Sequence, residues 1–475
     1  MLERSQVAED GLLSPVTDIT FSDSPPSRPR DPRIVLVHDY VTQRGGAERV
    51  VLDLLRSFPG ARLVTACFEA KATYPRFAEY DIETLWPNRF PMFRQDPRTA
   101  FPFLAKAFSR HVISDADLVI CSSSGWAHRV TTSAPKIVYC HNSARWLYQP
   151  DDYFADLPHW IRRGQRGFVA AMSGLRHSDA IAAQRCSRYL GNSAAVVQRI
   201  RDTYGIEATI LPPSRGISPT GPATPVAGIE PGFLLTIGRE RGYKHTESIC
   251  QAVASMKGER LVAVGAQPAE AYEPQITRLR NLSDENMRWL YANASGLVAV
   301  AHEDFGLAPV EAQAFGLPTV VLRAGGYLDT TVENVTGVFV DGTSPALIAD
   351  AIANLRSRTW DSVAIRRCGE QFSREAFTDR ITRIADKELG RVGVVKATRS
   401  TVALGTYTRS NSTPHSPGAR HGVHSAGHSP GGNRDRAHAG DHSGPGRVEG
   451  YPAKEPAAAG RQAVDRVDDR AGPGH

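Results

Sequence analysis

No apolar run in this 475-residue chain is long enough to span a bilayer, and the N-terminus lacks the apolar core of a signal peptide. A membrane-spanning or exported chain is therefore not expected. Cysteine is scarce. The six residues (Cys67, Cys121, Cys140, Cys186, Cys250, Cys368) never fall in C-x-x-C spacing, which argues against a zinc ribbon or a disulfide framework. They read as reduced, mostly buried thiols of a cytosolic protein. Net charge is nearly missing from the body of the chain. The total is +6, but residues 390–475 hold 12 Lys and Arg against 7 Asp and Glu, leaving 44 against 43 elsewhere. A basic excess confined to a tail gives no footing for a nucleic-acid partner. Large apolar residues are in turn sparse in that tail, which is rich in Gly, Pro, Arg, Ala, Ser and His. It cannot bury enough surface to fold, and residues 390–475 read as disordered. Seven of the fifteen histidines sit there at irregular spacing, without a metal-ligand pattern. Residues 1–31, polar and ending in SPPSRPRDP, read the same way.

What is present is organised around Glu303–Glu311, EDFGLAPVE. The apolar run Gly296–Ala301 before it fits a buried parallel strand. VEAQAFG after it is a helix with a glycine stop, and Pro318–Val321 is the next strand. A loop leaving a strand's carboxyl end and opening a helix is where open α/β sheets bind ligands. Free amides and the positive end of the helix dipole suit a phosphate there. Gly306 admits close backbone approach, and two carboxylates beside an anion suit sugar hydroxyls. Upstream, the strand Phe233–Gly238 leads into Arg239-Glu240-Arg241-Gly242-Tyr243-Lys244. Two cations five residues apart at a strand exit suit a diphosphate.

With its filler, this E-x7-E segment closely resembles the donor site of family 4 retaining glycosyltransferases. The resemblance covers roughly Arg33 to Leu389. It implies an α/β chain of two Rossmann-like domains facing a cleft, the GT-B arrangement. By resemblance, Glu303 contacts the transferred sugar and its phosphate, the Gly306-Leu307 amides hold the diphosphate, Glu311 grips the ribose, and Phe305 counts among the donor-binding residues. The spacing of Arg239 and Lys244 matches the family's Gly-Arg…Lys motif, whose cations neutralise the departing diphosphate. Gly45-Gly46, after the strand Arg33–Asp39, resembles the glycine loop that holds acceptor and diphosphate. His141, ending the strand Lys136–Cys140, matches a family histidine facing the cleft, although His-Asn-Ser replaces the usual His-Thr-Pro. His38 and His128 are weaker candidates at strand ends.

The boundaries read as an acceptor-side domain at 32–213, a Pro/Gly/Ser/Thr-rich linker at 214–230 and a nucleotide-sugar domain at 231–372. A helix is read at 373–389 and, by resemblance, crosses back to the first domain. CSSSGW after Asp117–Cys121 departs from the G-x-S-x-G elbow. Asp115-Ala116-Asp117 stands at a strand's start, the wrong end for a metal site, so no metal or other cofactor is expected. Residues 87–111 mix Phe with Arg and Lys, and two readings stay open: packing on the first sheet, or peripheral contact with an anionic membrane.

The implied activity is transfer of a hexose from a nucleotide-sugar, with retention of configuration, to a glycan or lipid-linked acceptor. Cytoplasm is the expected location, with a peripheral position on the inner face of the membrane left open. Likeness around AHEDFGLAPVEA and YCHN leans towards bacterial mannosyltransferases of surface-polysaccharide assembly, with GDP-mannose as donor. The alternatives are a nucleotide-sugar 2-epimerase and a non-catalytic sugar-nucleotide binding protein. A glycoside hydrolase would have no use for the cation pair.

Overall fold

The computed structural model describes residues 31–149, 173–238, 244–265 and 274–407. Arg239 and the parts of the expected tails at 1–30 and 408–475 lie outside them. The first half contributes β1 (Ile34–His38), β2 (Arg62–Thr65), β3 (Ile82–Thr84), β4 (Val112–Ile113), β5 (Leu118–Ser123), β6 (Thr131–Thr132), β7 (Lys136–Cys140), β8 (Arg188–Gly191) and β9 (Ala208–Ile210). Seven of these form one sheet in the order β3-β2-β1-β5-β7-β8-β9, and β4 pairs with β6. The second half contributes β10 (Leu234–Ile237), β11 (Leu261–Val264), β12 (Ile276–Leu279), β13 (Gly296–Ala299), β14 (Thr319–Leu322) and β15 (Gly337–Val340). They form a six-stranded sheet in the order β12-β11-β10-β13-β14-β15. Every pairing within both sheets is parallel.

The apolar runs are continuous because each sheet is covered on both faces. In the first half, Val35, Val37, Val119, Cys121 and Val138 face one core while Leu36, Ile120, Ile137 and Tyr139 face the other. The second sheet splits likewise, Leu234, Ala263 and Val298 on one side, Leu235, Val262 and Leu297 on the other. This is the period-two alternation of a strand serving two layers. Helix ends follow local chemistry. Ser193 caps Ala194–Tyr204, which stops at left-handed Gly205, and Ser283 caps Asp284–Asn293.

The last helix, Arg374–Tyr407, buries Phe377, Ile381 and Ala385 in the core shared with β1 and β7. Arg374 bonds Asp53 at 3.0 Å and Glu388 bonds Arg188 at 2.7 Å, fixing it to the first half. This helix runs past Leu389, so the expected disordered tail does not begin at 390. No proline interrupts the segment before Pro414, and its Val, Lys and Ala residues accept helical geometry. The segment 87–111 packs on the first half, as one of its two readings has it. Phe93, Leu104 and Phe108 are buried in the first half's core, while Trp86, Phe90, Met92 and Phe103 remain 37–56% exposed. The cysteines are all free, with Cys67, Cys121, Cys140 and Cys250 buried. Among the described residues no helix is long and apolar enough to cross a membrane.

Candidate active site

The carboxyl ends of both sheets supply the site. The loop after β13 carries Glu303 and enters the helix Leu307–Ala314 through Gly306, whose φ of 86° only glycine adopts without strain. Lys244, beyond β10, places its Nζ 2.6 Å from Glu303 Oε1. Lys244, Glu303, Gly306, Leu307 and Tyr327 line one cleft. Tyr327 follows Gly325-Gly326 and opens the short helix Tyr327–Thr330. It backs the whole loop. The Gly326 amide donates to Glu303 O at 2.9 Å, and a Cβ on Gly306 would lie 2.3 Å from Tyr327 Cε1.

From the first half, the Gly45-Gly46 turn opens the helix Gly46–Ser57 against this loop, and a Cβ on Gly46 would lie 3.0 Å from Leu307 Cδ1. The helix mouth at Gly45-Gly46 therefore lies against the Leu307 side chain at the other helix mouth. Phe305 takes a different place from the one expected of a donor contact. Its ring is buried with Val310 and packs edge-on to Phe372, with ring centres 5.8 Å apart, so it anchors the loop and offers a ligand only its backbone.

Glu311 is turned inward. Its Oε1 accepts from the Gly216 and Ile217 amides at 3.1 and 3.2 Å, and its Oε2 accepts from Tyr291 at 2.6 Å. Burial raises its pKa above the ordinary carboxylate range, although Arg49 and these donors oppose the shift. Arg49, in the helix Gly46–Ser57, was not singled out by the sequence. It donates to Tyr74 at 2.8 Å and Gly216 O at 2.7 Å, and reaches Asp284 at 3.3 Å, tying the first half to the linker and the second half. Burial pulls its pKa down, but Tyr74, Glu311 and Asp284 outweigh burial and hold the guanidinium above its usual value.

His141 sits beside His38 across the ends of β7, β5 and β1. Ser122 Oγ lies 2.8 Å from His141 Nε2, and His38 Nδ1 donates to Ser122 O at 2.9 Å. Burial, reinforced by His38, brings the His141 pKa down to about 3, so this imidazole is neutral at physiological pH. It is a hydrogen-bonding group rather than a proton store. His128 lies 3.4 Å from Ser123 Oγ and 3.2 Å from Asp179, but all three are at most 2% exposed and no substrate reaches them. Asp115 and Asp117 are engaged by Arg62 and Arg33, and Arg62 holds Asp115 at about 2.

Two family models match in tandem: Glycosyltransferase Family 4 over residues 44–214 and Glycosyl transferases group 1 over residues 227–366. The chain belongs to the family 4, group 1 glycosyltransferases. Its two parallel sheets are the two domains of the GT-B fold. A D-inositol 3-phosphate glycosyltransferase of Corynebacterium efficiens is 32% identical over 142 residues, 25% of this chain and 33% of that protein. The enzyme of the same name from Geodermatophilus obscurus is 29% identical over 227 residues, 40% of this chain and 50% of that protein. The chain thus spans only a third to a half of the length of these curated relatives. Among solved structures, Anabaena HepE in complex with UDP and glucose superposes with a TM-score of 0.54 at 15% identity, over 75% of this chain and all of that one. Sucrose-phosphate synthase from Thermosynechococcus elongatus gives 0.53 at 15% identity, over 76% of this chain and 100% of that one. These superpositions speak for the fold.

Proposed function

We propose that this glycosyltransferase moves a hexose from a nucleoside diphosphate sugar to a hydroxyl acceptor with retention of configuration. The observation that carries the reading is Lys244 paired with Glu303 at the mouth of the helix Leu307–Ala314, facing the Gly45-Gly46 turn. A diphosphate entering the cleft would meet the amides after Gly306 and the Lys244 ammonium, and would release Glu303 to orient the sugar. Arg239 would add the second cation. The acceptor hydroxyl attacks from the face the nucleotide leaves, and the leaving phosphate receives its proton. Neutral His141 suits a hydrogen bond to sugar or acceptor. No metal is required in this scheme, because fixed cations and a helix dipole take the developing charge.

GDP-mannose is the first donor to test. UDP-glucose comes next, because the fold neighbour HepE is described with UDP and glucose. The names of the curated relatives make an inositol phosphate the acceptor to try beside a lipid-linked glycan. Trp86, Phe90, Met92 and Phe103 are exposed, and the same segment exposes Arg89, Lys106 and Arg110. That combination fits an anionic bilayer, and we assign this segment to peripheral membrane contact in the cytoplasm. Co-sedimentation with anionic but not neutral vesicles, lost in the Phe90→Ser/Phe103→Ser variant, is the expected result.

A thermal-shift panel of nucleotide-sugars in EDTA tests the central reading. A donor at about a hundredfold excess over Kd stabilises by about 2.7 kcal/mol. No shift with any nucleotide-sugar would refute it. Conversion of donor without acceptor would favour the 2-epimerase, and binding without turnover a non-catalytic role.

A further inference from the structure

Asp304 sits between Glu303, which lines the cleft, and buried Phe305, yet its carboxylate turns away from both towards the other half of the molecule. Asn142 Nδ2 donates to its Oδ2 at 2.7 Å, and Arg199 Nη1 donates to its Oδ1 at 2.8 Å. Both oxygens are thereby used across the cleft. Asn142 directly follows His141. The chain neighbours of the two candidate catalytic side chains, one from each sheet, are therefore hydrogen-bonded to each other.

A second tether lies nearby. Asp329, from the turn that backs the donor loop, accepts from the Ala194 amide at 2.7 Å. Ala194 begins the helix Ala194–Tyr204 that carries Arg199, so the same helix is held at its first turn and at its middle. A carboxylate at a helix N-terminus gains from the dipole as well as from the hydrogen bond. Arg199 and Asp304 are 18% and 28% exposed at their side chains, half-shielded from solvent screening. The rest of the loop is inflexible beneath them, because Gly326 leaves no room beside Phe305 and Asp304. A Cβ there would lie 2.3 Å from Phe305 Cα and 2.5 Å from Asp304 O. Motion of Asp304 is then transmitted to Glu303 by a stiff turn rather than absorbed by it.

We propose that Asp304 is a positioning residue: through Asn142 and Arg199 it sets the closed distance between the two halves and, with it, the placement of Glu303 opposite His141. It touches neither donor nor acceptor. Lys244 and the amides after Gly306, the main donor contacts, lie in the second half, so donor affinity changes little with Asp304, whereas turnover depends on it. The turnover arm rests on the function proposed above, and the distance arm does not.

The test uses the full chain with a fluorescent pair attached at exposed Lys71→Cys and Lys257→Cys, one in each half, with Cys186 and Cys368 changed to serine. Asp304→Ala and Arg199→Met are each expected to widen the mean separation or its distribution. Asp304→Glu restores at least part of it, and the Asp304→Ala/Arg199→Met double variant is no wider than either single one. In parallel, Asp304→Ala should lower kcat by roughly 10- to 100-fold, the scale expected when reacting groups lose their alignment. Its donor Kd stays within about threefold of the wild type. A merely structural role would lower melting temperature and donor affinity together, without rescue by glutamate. Unchanged energy transfer in both single variants overturns the proposal whether or not turnover is observed. A wild type inert towards every donor overturns the assigned activity and leaves the distance measurement to decide this one.

Discussion

Replacing Gly306 by alanine combines two penalties that the structure lets one separate. The residue has φ of 86°, a left-handed conformation that costs an L-residue roughly 1–2 kcal/mol. Its new methyl would also lie 2.3 and 2.6 Å from Tyr327 Cε1 and Cδ1, and that ring is only 2% exposed. Forcing a buried ring aside costs about 1–3 kcal/mol more. The sum is about 2–5 kcal/mol, which for a unit of this size lowers the melting temperature of the second half by roughly 5–15 °C. Gly60 is the internal control, with φ of 82° and nothing within 4 Å of where a Cβ would stand. Gly60→Ala carries only the backbone cost, so the difference between the variants isolates the collision. Adding Tyr327→Ala to Gly306→Ala should return the steric part and no more, as a double-mutant cycle. Calorimetry of Gly306→Ala, Gly60→Ala, Tyr327→Ala and Gly306→Ala/Tyr327→Ala is the assay. A Gly306→Ala melting temperature within about 2 °C of wild type would refute the claim that the loop is pinned against Tyr327.

Three further outcomes follow from the charges in the cleft. Lys244→Met should abolish the thermal shift with donor while leaving the melting temperature of the free protein within about 2 °C, since it removes a part-exposed ion pair. Arg49→Met breaks a set of buried bonds to Tyr74, Gly216 and the Glu311 neighbourhood, and a loss of about 3 kcal/mol by denaturant titration is expected. A loss below about 1 kcal/mol would show that Arg49 does not join the halves. The His141 pKa is depressed from 6.5 to about 3 in the folded chain, so its stabilising effect is full above pH 6.5 and fades as pH falls towards 3. At pH 5 the wild type should have lost about 2 kcal/mol that His141→Phe retains, read as a smaller acid-induced drop in melting temperature.

The donor loop was legible because its signals are local. A buried strand, a glycine and a helix former stand next to one another in Gly296–Ala314, and chain order alone puts the loop at the sheet's ligand end. Lys244 was legible for the same reason, as a cation just past β10. The contacts that close the cleft were not. Asn142 and Arg199 lie 162 and 105 residues from Asp304, and no spacing rule links them. Glu311 shows the same limit from the other side. Its place in E-x7-E points to a ligand, but Gly216, Ile217 and Tyr291 claim its oxygens, and Gly216 and Ile217 read only as linker. The segment 86–110 defeated pattern reading because one short run of aromatics serves two surfaces: Phe93 and Phe108 inward, Phe90 and Phe103 outward.

The three carboxylates of the donor loop each stand beside one cation, and the cations come from different parts of the fold. Glu303 pairs with Lys244 of the second half, Asp304 with Arg199 of the first, and Glu311 lies near Arg49 of the first. An arriving diphosphate brings negative charge into this balance and is best placed to take Lys244, the cation shared with the cleft. That exchange frees Glu303 without disturbing Asp304 or Glu311, whose partners stay in place across the interface. Donor binding and domain closure are then separable by charge. Salt should weaken the donor's thermal shift strongly, because a free, multiply charged diphosphate must leave screened solvent to reach Lys244, and should affect the interdomain distance less, because Arg199 and Asp304 are already paired at hydrogen-bond distance within the fold. Measuring both against NaCl checks the division. If distance and donor affinity fell together over the same salt range, the two sets of charges would form a single network, and Asp304 could not act independently of the donor.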